Sequence, residues 1–321
     1  MIISVALCTY NGSQFLTEQL ASIAQQTRLP DELVICDDVS RDTTIQIIES
    51  FASEVSFTVR LYQNQFNLGS TKNFEQAIRL CTGEIIVLAD QDDYWYPHKL
   101  AHLEAVFIDK PETGLVFSDA HVVNAERHGL GYTLWQSVRF DHRQQRQITE
   151  RRAVEVLLRH PVVTGATMAF HSRFRDFILP ISADWVHDEW ISLIIAIRAP
   201  VVILADPLMQ YRRHDANQVG TENVKPIERL RTALQTDPNI YLKRYKQYQI
   251  LHDHLHQNNS TKAATLSAFK QKQAHFFKRG TLPRQRMRRI LPIVGEFLSG
   301  GYHRYSGSWL NAIRDLLLKH R

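Results

Sequence analysis

The sequence predicts an α/β protein built on a mainly parallel sheet between helices. Three observations carry that expectation. Short apolar runs, rich in β-branched residues, recur through the first half of the 321-residue chain. Stretches with helical spacing separate them. Both faces of the runs are apolar, as in strands covered on each side by crossover helices.

The elements follow in order. IISVALCT is a strand, and SQFLTEQLASIAQQT places Phe15, Leu16, Leu20 and Ile23 on one helical stripe. DELVICDD is a second strand and RDTTIQIIESF a second helix, with Ser40 expected as its cap. FTVRLYQ and GSTKNFEQAIRLC form a third pair, EIIVLAD and PHKLAHLEAVFI a fourth. After Gly114 the rhythm changes. GLVFSDAHVVN, VVTGATMAFHSR and VVILADPLMQYRRH read as strands. TERRAVEVLLRH reads as a helix capped by Thr149, and HDEWISLIIAIRA as one with an acidic first turn. Beyond Glu222 the pattern is helical, polar and basic. The expected division is residues 1–220 and 221–321, the first split into halves 1–113 and 114–220.

Hydrophobic residues at 44% and charged residues at 22% describe a soluble globular protein. The three cysteines form no C-x-x-C pair, which disfavours disulfides and zinc and suits a reducing cytoplasm. MIISVALCTY reads as a strand, not a signal peptide, and Trp190–Ala205 is too interrupted by Arg198 and Pro200 to span a bilayer. Net charge is −8 over residues 1–220 and +13 over 221–321. That asymmetry argues against nucleic acid bound across the whole protein and points the tail alone at an anionic partner. Within it, Arg284, Arg286, Arg288 and Arg289 adjoin an apolar run that Pro292 must kink or begin. Such a segment suits an interfacial helix on an anionic inner-membrane surface; a helical appendage packed on the catalytic domain is the alternative.

In parallel sheets ligands bind beyond the carboxyl ends of the strands. Here those ends carry Thr9, Tyr10 and Asn11, then Asp37 and Asp38, then Asp90, Asp92 and Asp93. Three crowded carboxylates raise one another's energy unless a positive charge intervenes. No Lys or Arg lies between Glu84 and Lys99, so the compensating charge is expected from outside the chain. Mg²⁺ or Mn²⁺, completed by substrate phosphate, is the fitting ion; a solvated turn is the plain alternative. Asp37 or Asp38 suits a ribose hydroxyl or base N–H. No G-x-G-x-x-G and no P-loop motif is present, so a glycine cradle for phosphate is not expected.

LCTYNGSQFLTEQLASIAQQT, ELVICDDVSRDTT, NLGSTKNFEQAI and GEIIVLADQDDYWYPHKL together resemble the N-terminal half of family-2 inverting glycosyltransferases. That resemblance implies the GT-A fold and a nucleotide-sugar donor. It places Thr9, Tyr10, Asn11 and Asp38 on the nucleoside and Asp90 and Asp92 in the D-x-D metal motif. The chain departs from the family at Val39, where glycine is common. A β-branched residue resists positive φ, so an ordinary turn is expected there. VVTGATMAFHSRF, VHDEWISLI, QYRRHDANQVG and GYHRYSGSWLNAIRDLLLK resemble rhamnosyltransferases of bacterial surface polysaccharides. The implied reaction moves L-rhamnose from dTDP-β-L-rhamnose to a growing, lipid-linked O-antigen-type glycan.

Within that reading Asp188 is the general base, with Glu189 in reserve; both also favour a helix start. Ionisation at neutral pH is expected of Asp188 from the helix dipole. Trp185 and Trp190 suit either sugar stacking or core packing. Arg212 and Arg213 suit the leaving diphosphate, His214 the metal, and Lys72 the donor. The alternatives are a same-fold transferase using another sugar, a sugar nucleotidyltransferase and a non-catalytic nucleotide-sugar-binding protein.

Overall fold

A computed structural model describes residues 1–214, 239–257, 263–307 and 309–318. The chain divides into two compact units, Met1–Ala153 with Val162–Thr221, and Val154–Pro161 with Glu222–Arg321. The expected boundary at 220/221 and the Asp215–Gly220 part of QYRRHDANQVG lie outside the described residues.

The first unit is built on a nine-stranded sheet. Strands β1 (Ile3–Thr9), β2 (Glu32–Asp37), β3 (Thr58–Gln63) and β4 (Ile85–Ala89) are parallel, in the spatial order β3-β2-β1-β4. Helices α1 (Leu16–Ala24), α2 (Thr44–Glu54) and α3 (Ser70–Leu80) make the crossovers, and α4 (Lys99–Asp109) follows β4. β1, β2 and β4 are buried along nearly their whole length, which explains their continuous apolar runs. The sheet then becomes mixed. β8 (Met168–His171) pairs antiparallel with both β4 and β6 (Leu115–Val123), and β9 (Val201–Arg212) lies parallel to β6. Two further strands escape periodicity because they are short or exposed: β5 (Tyr94–Trp95) on β9, and β7 (Gly129–Thr133) on β6. VVTGATMAFHSR forms a strand only at its end, after a 3₁₀ turn at Gly165–Thr167.

Several local expectations are corrected. Val39 takes φ 68°, the left-handed region. Its neighbours are tied down, because the Asp37 carboxylate accepts from the Ser40 N–H and the Asp38 carboxylate from the Gly69 N–H. Ser40 caps no helix; α2 begins at Thr44, and Ser40 instead donates its hydroxyl to Asp37 Oδ2. Thr149 ends a helix, His142–Thr149, and the next begins at Ala153. The missed helix has a sequence signal in Asp141 and Gln144, a reciprocal capping box.

The second unit comprises helices Asn239–Gln257, Ala263–Gly280, Arg286–Leu298, Gly301–Tyr305 and Leu310–Leu317, with most of Ala153–Arg159. Its apolar core at Leu282, Ile293, Tyr302 and Ala312 is small. A buried ionic network supplements it. Arg279 grips Asp315 with two N–H groups at 2.6 and 2.9 Å, and Tyr241 and Tyr302 donate to the same carboxylate. Arg289, expected at a membrane, is buried here instead, its guanidinium donating to the carbonyls of Pro283, Arg284, Asp315 and Leu318. Pro292 sits inside the helix Arg286–Leu298 without ending it.

Candidate active site

β1 has β2 on one side and β4 on the other, and the crossovers leave it in opposite senses. Their carboxyl ends therefore open a crevice, the place where such sheets bind ligands. Gln91 spans it. Its Oε1 accepts from the Tyr10 N–H at 2.9 Å and its Nε2 donates to the Tyr10 carbonyl at 3.1 Å. A Cβ on Gly12 would stand 2.2 Å from Gln91 Oε1, so glycine is needed for this clamp. Tyr10 is left 47% exposed at the rim, and Asn11 holds the loop below by accepting from the Arg41 N–H.

Asp37 and Asp38 are buried and organise the floor. Asp37 accepts from the Thr9 hydroxyl at 2.8 Å and from the Ser40 N–H at 2.8 Å. Asp38 accepts from Asn64 Nδ2 and from the N–H groups of Leu68 and Gly69, at 2.7 to 2.8 Å. These bonds hold the β3–α3 loop against β2. Lys72 donates to Glu75 and to the Ile181 carbonyl, and Glu75 accepts from the Ile181 N–H. Lys72 thereby anchors the segment leading to α9 (His187–Arg198).

The acidic group lies where β4 ends. Burial first, then Asp92 and Asp188, push the Asp90 carboxyl up to about 7. Asp188, at the first turn of α9, is thus close enough for its charge to act on Asp90, although the two are far apart in sequence. Burial and the neighbouring Glu189 push Asp188 itself up to about 6, against hydrogen bonds from the Gly165 and Glu189 N–H groups. Burial outweighs the helix dipole, yet at about 6 the carboxyl is still mostly ionised at neutral pH, as a base requires. Asp92 Oδ2 meets His214 Nε2 at 2.8 Å, and the His214 ring packs on Phe15. Asp93 is fully buried, accepts from the Arg212 N–H at 3.0 Å, and is held well above the ordinary carboxylate range by burial, Asp92 and Asp90.

The chain does supply positive charge, which corrects the expectation that it comes only from outside. Lys99 is fully buried, with its ammonium 3.9 Å from the Trp95 ring and donating to the Ala166 carbonyl. Burial pulls Lys99 down to about 7 while Asp93 and Asp90 oppose the fall. Periodicity alone reads Lys99 as the exposed start of a helix, so its burial escapes it. Arg212 is 2% exposed and donates to the Asp92 and Ala125 carbonyls and to Glu18, which staples the aspartate turn to α1. Expected on a leaving diphosphate, it is held instead in the scaffold. Arg213 donates to the hydroxyl of Tyr132 on β7.

α9 and the turn before it bring further groups. Trp185 and Trp190 are core residues, at most 2% exposed and edge to face with each other. His187 stacks on Phe74 with ring centroids 4.1 Å apart, and neither ring nitrogen has a hydrogen-bond partner. Burial pulls its imidazole down to about 3, so it is neutral. Gly165 makes room for it, since a Cβ there would lie 2.7 Å from His187 Nε2.

These residues fit a hard divalent cation. Asp90 and Asp92 offer carboxylate oxygens, and Asp93 Oδ2 is buried without a hydrogen-bond partner. Among the described residues no three His, Cys, Asp or Glu side chains already surround one point. Two protein ligands completed by donor phosphate suit that geometry better than a closed protein cage.

A family model, glycosyl transferase family 2, matches residues 4–174. An uncharacterized protein of Mycobacterium tuberculosis is 33% identical over 123 residues, 37% of this chain and 35% of its own length. The putative glycosyltransferase EpsE of Bacillus subtilis is 30% identical over 131 residues, 39% of this chain and 47% of its own. The matched stretches thus span less than half the length of these relatives. In fold, Staphylococcus aureus TarS 1–349 in complex with UDP-GlcNAc superimposes with TM-score 0.55 at 19% identity, over 95% of this chain and 89% of that one. The mannosyltransferase PcManGT of Pyrobaculum calidifontis, in complex with GDP-Man and Mn²⁺, gives 0.52 at 18% identity, over 98% and 85%. The mixed sheet with flanking helices is therefore of the GT-A type.

Proposed function

Because the chain belongs to glycosyltransferase family 2, we propose that it is an inverting, metal-dependent transferase that moves a sugar from a nucleoside diphosphate to a surface glycan. The observation that carries the reading is that Asp92 and Asp188, far apart in sequence, both act by their charge on Asp90. Asp188 takes the proton of the acceptor hydroxyl as its oxygen bonds to the anomeric carbon. The bond from that carbon to the diphosphate oxygen breaks on the opposite face, and its electron pair leaves with the diphosphate. Thr9, Tyr10, Asn11 and the Asp37–Asp38 floor shape the nucleoside end, and Glu189 is the reserve base. Asp90 and Asp92, with His214 alongside, would hold Mg²⁺ or Mn²⁺, which would supply positive charge to the departing diphosphate.

The donor proposed is dTDP-β-L-rhamnose, giving an α-linked product, on the strength of the motifs in the second half. The acceptor proposed is a lipid-linked glycan, met at the cytoplasmic face of the inner membrane. The UDP-GlcNAc and GDP-Man in the TarS and PcManGT complexes favour a second reading, a hexosyl or N-acetylhexosaminyl donor on the same site. A panel of nucleotide-sugars, with released nucleoside diphosphate measured with and without Mn²⁺, tests both. Turnover of dTDP-rhamnose alone supports the first reading, and turnover of another donor instead supports the second. Release from none of the donors, with acceptor present, removes the enzyme assignment.

A further inference from the structure

The helix Arg286–Leu298 packs inside out. Its buried residues are Arg289, Ile293 and Glu296. Arg289 caps backbone carbonyls, and Glu296 pairs with His275 at 2.7 Å and Lys278 at 2.6 Å. The outward side is apolar instead. Met287 and Leu298 are each 78% exposed and Leu291 is 83% exposed, with Ile290, Val294 and Phe297 also open. Positions 287, 290, 291, 294, 297 and 298 follow the i, i+3, i+4, i+7 spacing of one continuous stripe. A stripe of this kind left to water marks a contact surface rather than a soluble face.

Charge identifies the occupant. Arg284, Arg286 and Arg288 are exposed at the start of the same helix. Residues 271–321 carry a net charge of +9. An apolar stripe beside exposed guanidinium groups matches the boundary between anionic headgroups and acyl chains. No described helix is long and apolar enough to cross a membrane, so the contact is with a surface. We propose that this face lies on an anionic bilayer, with Met287, Leu291, Val294 and Leu298 entering the acyl boundary and the three exposed arginines among lipid phosphates. Arg289 takes no part, because its donors are committed within the fold. The proposal deepens the peripheral location given above and does not depend on the donor chemistry.

Co-sedimentation of the full chain with phosphatidylcholine vesicles, with and without phosphatidylglycerol, tests it at low and high salt. The wild type is expected to bind the anionic vesicles only, and less at high salt. The variant Met287→Ser/Leu291→Ser/Leu298→Ser should lose at least about tenfold in partitioning. Arg284→Glu/Arg286→Glu/Arg288→Glu should lose about a hundredfold at low salt. Circular dichroism checks that each variant folds; should the serine variant fail, Leu291→Glu at the most exposed position decides. Absence of wild-type binding, or equal binding by all variants, overturns the proposal. So does wild-type self-association without vesicles that the serine variant abolishes, since a second copy would then cover the face. Nucleoside diphosphate release on the same samples reads the transferase assignment separately.

Discussion

Replacing Asp188 with asparagine separates chemistry from stability. The proposed general base is lost, which should lower kcat by about 10²–10⁴-fold, or about 3–5 kcal/mol of barrier. Burial holds the Asp188 carboxyl near 6 against an ordinary 3.8. The folded state therefore binds that proton more tightly than the unfolded chain. Ionising it weakens the fold progressively as pH rises from 3.8 to about 6, by up to about 3 kcal/mol at neutral pH. Asparagine removes that burden. It also keeps only one acceptor oxygen, whereas the carboxylate accepts from both the Gly165 and Glu189 N–H groups. The orphaned donor costs about 1–3 kcal/mol. The two effects leave stability at pH 7 unchanged or slightly raised. The wild-type rate should rise with pH through about 6, reach its plateau near neutrality, and fall to about a tenth of it at pH 5. Steady-state transfer from pH 5 to 8, with urea unfolding of both proteins, makes the measurement. Near-normal transfer by Asp188→Asn, or no acid limb near pH 6 in the wild type, refutes the assignment. Destabilisation by more than about 2 kcal/mol would show that the carboxylate holds the fold together and not the reaction.

Asp92→Ala should abolish the Mn²⁺-stimulated part of nucleoside diphosphate affinity; calorimetry that finds equal stimulation in mutant and wild type removes Asp92 from the site. Lys99→Met deletes the buried cation beside Asp90 and Asp93, so both carboxyls should resist ionisation more strongly. Mn²⁺-dependent binding should weaken several-fold at pH 7 and recover at higher pH, and a loss independent of pH would contradict the electrostatic role. Val39→Gly relieves a β-branched residue at φ 68°. It should stabilise the fold by about 0.5–1 kcal/mol in urea unfolding, since left-handed strain of about 1–2 kcal/mol exceeds the added chain entropy.

The parallel half of the sheet was readable from sequence because burial on both faces forces continuous apolar runs, as at Leu33–Cys36 and Ile85–Ala89. The carboxylates at the strand ends were readable too, since topology sends every parallel strand's end to the same edge. Tertiary structure alone decided what those residues meet. The charge of Asp188 acts on Asp90 across the sheet, where β8 and β6 insert beside β4, which no local pattern encodes. Lys99 looks like an ordinary first-turn lysine, yet packing against Trp95 and Ala166 makes it a buried counter-charge. The same holds for the basic tail: its composition raises the expectation of an anionic partner, but does not tell that Arg289 turns inward while Leu291 turns out. Sequence period sets which residues share a helical face. Which face turns inward depends on partners distant along the chain, here Asp315 and Leu318 for Arg289 and His275 for Glu296.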